Sequence, residues 1–207
     1  MSVVAVVVVG ALAIWAAERR SWVHAFSKPL ATALLLIIVG RPATRLAWWV
    51  DVGIVLSIVG DTALLSQGQG AFIVGLAAFL LAHLAYVVGF AGVAAWSPLV
   101  AVVALLALVA TTFILRAVWG GTAGLRGPTV AYGLVISAMV TAASATLGGP
   151  LAAAPLAFGG ALFFYASDAS LALNRFRKPI PHAAFLTLGL YWVGQIGIAL
   201  AARAGGR

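Results

Sequence analysis

The chain contains no cysteine among its 207 residues, which excludes disulfides, thiolate metal centres, thiol nucleophiles and cysteine-borne lipid anchors. Charge is almost as scarce. Only 8% of the residues are charged, and just four are acidic: Glu18, Asp51, Asp61 and Asp168. A soluble globular domain is about a quarter charged, so this composition excludes one. No linker or long polar segment separates the apolar runs. The chain is therefore read as a single transmembrane helical bundle domain over 1–207.

What is present is hydrocarbon: 64% of the residues are hydrophobic. Eight apolar runs can be traced, at roughly 2–17, 26–40, 46–66, 71–94, 97–119, 128–148, 151–173 and 183–202. A helix crossing a bilayer needs about 20 residues, so the first two are short. None alternates with the ten-residue rhythm of an outer-membrane strand, and open backbone cannot face lipid. The fold class is an all-α integral membrane protein with eight transmembrane helices. Short connections marked by Gly or Pro join them, such as Gln67-Gly-Gln-Gly70, Trp96-Ser-Pro98, Arg126-Gly-Pro128 and Gly148-Gly-Pro150. The first run lacks a basic leader and a cleavage site, and reads as a retained helix, not a signal peptide. Asp61-x-x-Leu64 and Phe79-Leu80 reappear 107 and 106 residues later as Asp168-x-x-Leu171 and Phe185-Leu186. That spacing suggests a parallel 4+4 internal repeat.

The net charge of +8 does not point to nucleic acid. The basic residues are scattered through short loops and form no stripe interleaved with aromatics. They read as topology signals and headgroup contacts. Eight of them (Arg19, Arg20, Lys28, Arg116, Arg126, Arg175, Arg177 and Lys178) fall on one side; Arg41, Arg45, Arg203 and Arg207 fall on the other. The positive-inside rule places the first set in the cytoplasm. The expected location is the cell (plasma) membrane, multi-pass, in a bacterium.

A carboxylate at a helix centre costs about 2.5–3.5 kcal/mol to insert. Asp61 and Asp168 nevertheless sit inside apolar runs, each about 8 Å from the same end of its helix by helical rise. Lys28 opens the second run at that end, and Arg175 closes the seventh. Around the two acids, helical spacing groups Ser57 with Asp61, Tyr165 with Asp168, His83 with Tyr86, and Tyr191 with Gln195. Acid, base, phenol, amide and imidazole facing one cavity would make an intramembrane active site or an ion path. The same groups could instead hydrogen-bond across helices and fix their register. Trp48, Trp49 and Asp51 read as an interfacial belt. His24, His83 and His182 lack metal-ligand spacing, and no GxSxG elbow is present, so neither a metal nor a cofactor is expected.

Five motifs occur in order: Lys28-Pro-Leu30; Ser57-x-x-Gly60-Asp61-x-x-Leu64-Leu65; Phe72-x-x-Gly75-x-x-x-Phe79-x-x-x-His83-x-x-Tyr86; Phe163-x-x-Ala166-Ser167-Asp168-x-x-Leu171-Ala172-x-x-Arg175-Phe176; and Tyr191-x-x-x-Gln195. Together they resemble the YhhN family of eight-helix membrane proteins, which includes animal lysoplasmalogenases. The resemblance implies hydrolysis of a lysoplasmalogen vinyl ether to a fatty aldehyde and a glycerophospho-alcohol. The substrate partner would be a lysophospholipid or another ether lipid. Carried over by position, it implies Lys28, Asp61, His83, Tyr86, Asp168, Arg175, Tyr191 and Gln195 as site residues; Asp61 and Asp168 are read as the catalytic pair and the others as substrate-binding, with Ser57 and Tyr165 added to the substrate-binding set by their shared helix faces. Vinyl ethers hydrolyse by proton transfer to carbon, giving an oxocarbenium ion that water captures. One carboxylic acid and one carboxylate suit that course, as in glycosidases; the division of roles is left open. Lys28 and Arg175 would hold the phosphate, and the donor acid should stand several ångströms from either cation. The alternative is a proton-coupled transporter, which broken helices at matching places in the two halves would favour. A scaffold or receptor is disfavoured by the lack of extramembrane segments.

Overall fold

The computed structural model describes residues 2–66 and 68–205. Gln67 and Arg207, counted above among the loop and topology signals, lie outside them. The described residues form nine α-helices: α1 (Ser2–Glu18), α2 (His24–Ala33), α3 (Leu35–Val39), α4 (Arg45–Ala63), α5 (Gln69–Ala91), α6 (Pro98–Val118), α7 (Arg126–Ala145), α8 (Ala154–Phe176) and α9 (Ala183–Ala204). No strand occurs among them.

The boundaries follow local chemistry. Thr44, in extended conformation, accepts a hydrogen bond from the Ala47 amide at 3.1 Å and starts α4. Ser97 is extended before Pro98, whose missing N–H costs nothing in the first turn of α6. Gly40 takes φ 78° and ends α3.

α4 through α9 are each long and apolar enough to cross a membrane, six helices in all. The first expected span is the shorter α1, of 17 residues. The second is divided: α2 ends at Ala33, and α3 resumes after Leu34. That break lies outside the two helices that carry the acids. α4 and α8 run unbroken through Asp61 and Asp168, so matched half-helices, the mark of a carrier, are not seen at the acids. The transport alternative gains no support.

α4 packs beside α5, and α8 beside α9; α9 lies centrally and also touches α1, α3 and α4. Close approach needs small residues where two backbones meet. A Cβ on Gly194 would stand 2.8 Å from both the Gly160 carbonyl oxygen and the Phe164 amide nitrogen. Likewise, a Cβ on Gly53 would stand 2.2 Å from the Tyr86 ring. These contacts press α8 on α9 and set Tyr86 against α4. Tyr86, Phe90, Phe164 and Ile54 are fully buried in the core, whereas Leu105, Phe113 and Val4 are exposed on the outer face, as lipid contact allows.

The two halves differ in detail. Phe79 is 7% exposed inside the bundle, but Phe185, its counterpart in the sequence repeat, is 67% exposed.

Replacing Gly194 by Val should lower the thermal unfolding midpoint in detergent. Overpacking of this kind costs about 1–3 kcal/mol. Gly189→Ala on the same helix, where an added Cβ meets nothing within 4 Å, should change the unfolding free energy by no more than about 1 kcal/mol.

Candidate active site

The ends of α1, α2, α4, α5, α8 and α9 that lie on one side of the bundle surround a cavity of about 430 Å³. Asp61 and Asp168 both border it, as do Leu64 and Leu171. The duplicated Asp-x-x-Leu therefore converges on one chamber from two helices. Lys28, Arg175 and Tyr191 complete its charged and phenolic lining.

Asp61 is 1% exposed. Its Oδ1 lies 3.2 Å from Lys28 Nζ. Its Oδ2 accepts from Thr32 Oγ1 at 2.6 Å and from the Tyr191 hydroxyl at 3.0 Å. Lys28 and Thr32 lie four residues apart on one face of α2, so a single helix supplies both the cation and a donor. Behind this shell, the Gln195 amide donates to Tyr191 at 3.3 Å and to Ser57 Oγ at 3.1 Å. Tyr86 donates to Gln195 Oε1 at 2.7 Å. Thr32 further accepts from Trp192 Nε1 at 3.4 Å. A buried carboxylate needs such a set, because its charge and lone pairs are otherwise left without water.

Asp168 is held differently. The Tyr132 hydroxyl donates to its Oδ2. His83 Nε2 lies 3.5 Å from the same oxygen, and neither ring nitrogen of His83 makes a hydrogen bond among the described residues. The imidazole is wedged between the rings of Phe164 and Tyr132, with centroids 4.7 and 5.3 Å away. No lysine or arginine pairs with Asp168 among the described residues. Two narrow apolar slots meet the polar chamber at this carboxyl, and Asp168 borders all three cavities.

The sequence-named residues thus separate into three sets. Lys28, Arg175 and Tyr191 line the chamber with the two acids. Gln195 stands behind Asp61 through Tyr191, with Ser57 and Tyr86 hydrogen-bonded to Gln195 in turn, and His83 stands behind Asp168; none of these four lines the chamber. Helical spacing identifies a shared face but not which residue of it reaches open space. Tyr165, one turn from Asp168, points into the slot between α6, α7 and α8, where its hydroxyl meets Thr111 at 2.7 Å.

Lys28, expected to stand apart from the donor acid, faces Asp61 in the chamber wall. Arg175 is exposed at the rim, its guanidinium 4.9 Å over the Phe72 ring. His24 is not a loop residue: it opens α2, lines the chamber and meets the Ala13 carbonyl at 3.0 Å. His182 sits in the loop before α9 and faces Glu18 at 3.2 Å. No group of three or more His, Asp or Glu gathers in metal-binding geometry among the described residues.

Two partners escaped sequence reasoning. Thr32 was discoverable as the residue one turn beyond Lys28. Tyr132 stands six residues from Arg126, at the depth of Asp168, in a span that otherwise shows only small-residue packing.

A family model described as "YhhN family" matches residues 23–202. Lysoplasmalogenase TMEM86A of Homo sapiens is 33% identical over 178 residues, covering 84% of this chain and 71% of that protein. Lysoplasmalogenase TMEM86B of Homo sapiens is 33% identical over 188 residues, covering 89% and 77%. The TMEM86B protein of Mus musculus is 30% identical over 187 residues, covering 89% and 77%. No solved structure matches the chain.

Lys28→Met should destabilise the protein by about 3–5 kcal/mol, because it strands a buried carboxylate. Adding Asp61→Asn should recover most of that loss. A double-mutant cycle of unfolding in detergent measures both, and additive losses would show that the pair is not coupled.

Proposed function

Since this chain belongs to the YhhN family, we propose that it is a lysoplasmalogenase-like ether hydrolase of the membrane, acting on a one-chained vinyl ether phospholipid. The observation that carries this reading is the position of Asp168. It stands where a polar chamber passes into apolar slots, which is where the vinyl ether bond of such an amphiphile lies, between headgroup and hydrocarbon. The relatives bearing the lysoplasmalogenase name agree with it.

The two carboxyls divide the work by their surroundings. Asp61 rests as the carboxylate, because Lys28 and two hydroxyl donors match its charge. Asp168, with no lysine or arginine in contact among the described residues, is the proton donor. In the first step the Asp168 carboxyl gives its proton to the β-carbon of the vinyl ether, leaving an oxocarbenium ion beside its own carboxylate. Water adds to that cation and passes a proton to Asp61, giving a neutral hemiacetal. Asp61 then returns that proton to the glycerol oxygen as the C–O bond breaks. The Asp168 carboxylate takes the hydroxyl proton as the aldehyde forms. One water is consumed, and both carboxyls return to their starting states.

Arg175 at the rim is placed to pair with the phosphate, and Tyr191 to orient water against Asp61. His83 holds Asp168 from behind. In this reading α1 and the joined α2–α3 cross as short spans, completing eight passes of a single bundle. The chamber opens on the side richer in Lys and Arg, hence to the cytoplasmic leaflet of the plasma membrane.

Purified protein given a lysoplasmalogen in deuterated water should release a fatty aldehyde carrying one deuterium on the carbon next to the carbonyl. Asp168→Asn and Asp61→Asn should each lower the rate by about 10²–10⁴-fold while the protein stays folded. Aldehyde without deuterium, or full turnover in both variants, would refute the mechanism.

A further inference from the structure

The two apolar slots at Asp168 are not equivalent. Both share Thr129, Tyr132, Asp168 and Ala172. The slot among α6, α7 and α8 meets the polar chamber at Asp168 alone and includes the tied hydroxyls of Tyr165 and Thr111. The slot among α5, α7 and α8 includes Leu76 and Phe176, and it shares Leu64, Phe72, Phe79 and Leu171 with the chamber in addition to Asp168. A continuous apolar wall therefore joins this second slot to the chamber. The first slot has no such wall in common with the chamber.

We infer that the slot among α5, α7 and α8 holds the hydrocarbon chain of the substrate and aims its vinyl carbon at Asp168. This assignment rests on the hydrolase reading above. A chain in the bilayer already lies in hydrocarbon, so transferring it to the slot yields little net hydrophobic gain. The slot acts by positioning. With the headgroup at Arg175 and the first methylenes between Leu76 and Leu171, the double bond crosses Asp168 at one register. The rest of a long chain passes outward to lipid. Leu76 borders this slot alone of the three cavities, and Ala169 borders only the other. The two positions give opposed tests.

Aldehyde release should be compared for a long-chain lysoplasmalogen and for an analogue ending at the bare vinyl group, which does not reach the slot. Leu76→Trp should lower kcat/KM for the long chain on the order of 10–100-fold, the scale of a misplaced reacting atom, and leave the short analogue unaffected. Ala169→Phe should leave the ratio between the two substrates as in wild type. The reverse pattern, or an unchanged ratio in Leu76→Trp, overturns the assignment.

A second measurement uses the unaltered protein and does not require turnover. A saturated alkyl-ether lysophospholipid with a diazirine near the ether end of its chain should crosslink to Leu76 or Phe176. Crosslinks at Ile114, Leu115 or Ala169 overturn the assignment. If the wild type releases no aldehyde yet crosslinks at Leu76, the hydrolase reading fails and the chain site stands.

Discussion

A carboxylate that no bulk water reaches must be matched by a cation and by hydrogen-bond donors, and the match made for Asp61 governs the rest of the bundle. Its partners come from two other helices, Lys28 and Thr32 from α2 and Tyr191 from α9, so the set ties three helices together, counting α4, which carries Asp61. Ser57, Tyr86 and Gln195 extend the network to α5. Each helix is thereby fixed in rotation and depth, since sliding any of them by one residue would leave the charge unpaired at a cost of several kcal/mol. The shortness of α2 fits the same constraint, because Lys28 has to meet Asp61 inside the wall.

Asp168 is the complement of that arrangement. It receives one phenol, an imidazole edge and aromatic walls, but no lysine or arginine among the described residues. One acid is built into an ion pair with a lysine and the other is not, and in the proposed mechanism a single chamber thereby offers both an anion and a proton source. The same face of the bundle supplies an exposed guanidinium at Arg175 and an apolar slot below it. An amphiphile with one charged end, one chain and a reactive bond between them matches that sequence of surfaces.

Much of this was legible in the sequence, for physical reasons. Acidic residues are so costly in lipid that Asp61 and Asp168 stand out, and helical rise alone brings them to one level with Lys28 and Arg175. The six long helices follow from their apolar length. The broken second span does not, because the interruption at Leu34 leaves no compositional trace. Side-chain direction was the weaker inference: spacing put Tyr165 beside Asp168, but it turns toward Thr111. Tyr132 was hidden by its neighbours, a lone phenol among small residues, although its depth equals that of the carboxyl it meets. The ion pair of Lys28 with Asp61 was not legible either, because helical rise gives depth and not which side chains meet.

The division of the two carboxyls into acid and anion is the central claim, and infrared difference spectroscopy of the purified protein in lipid addresses it most directly. A protonated carboxyl shows a C=O stretch that a carboxylate lacks. The account requires such a band in the resting protein, lost in Asp168→Asn and kept in Asp61→Asn. A band that persists in Asp168→Asn and disappears with Asp61→Asn would contradict it.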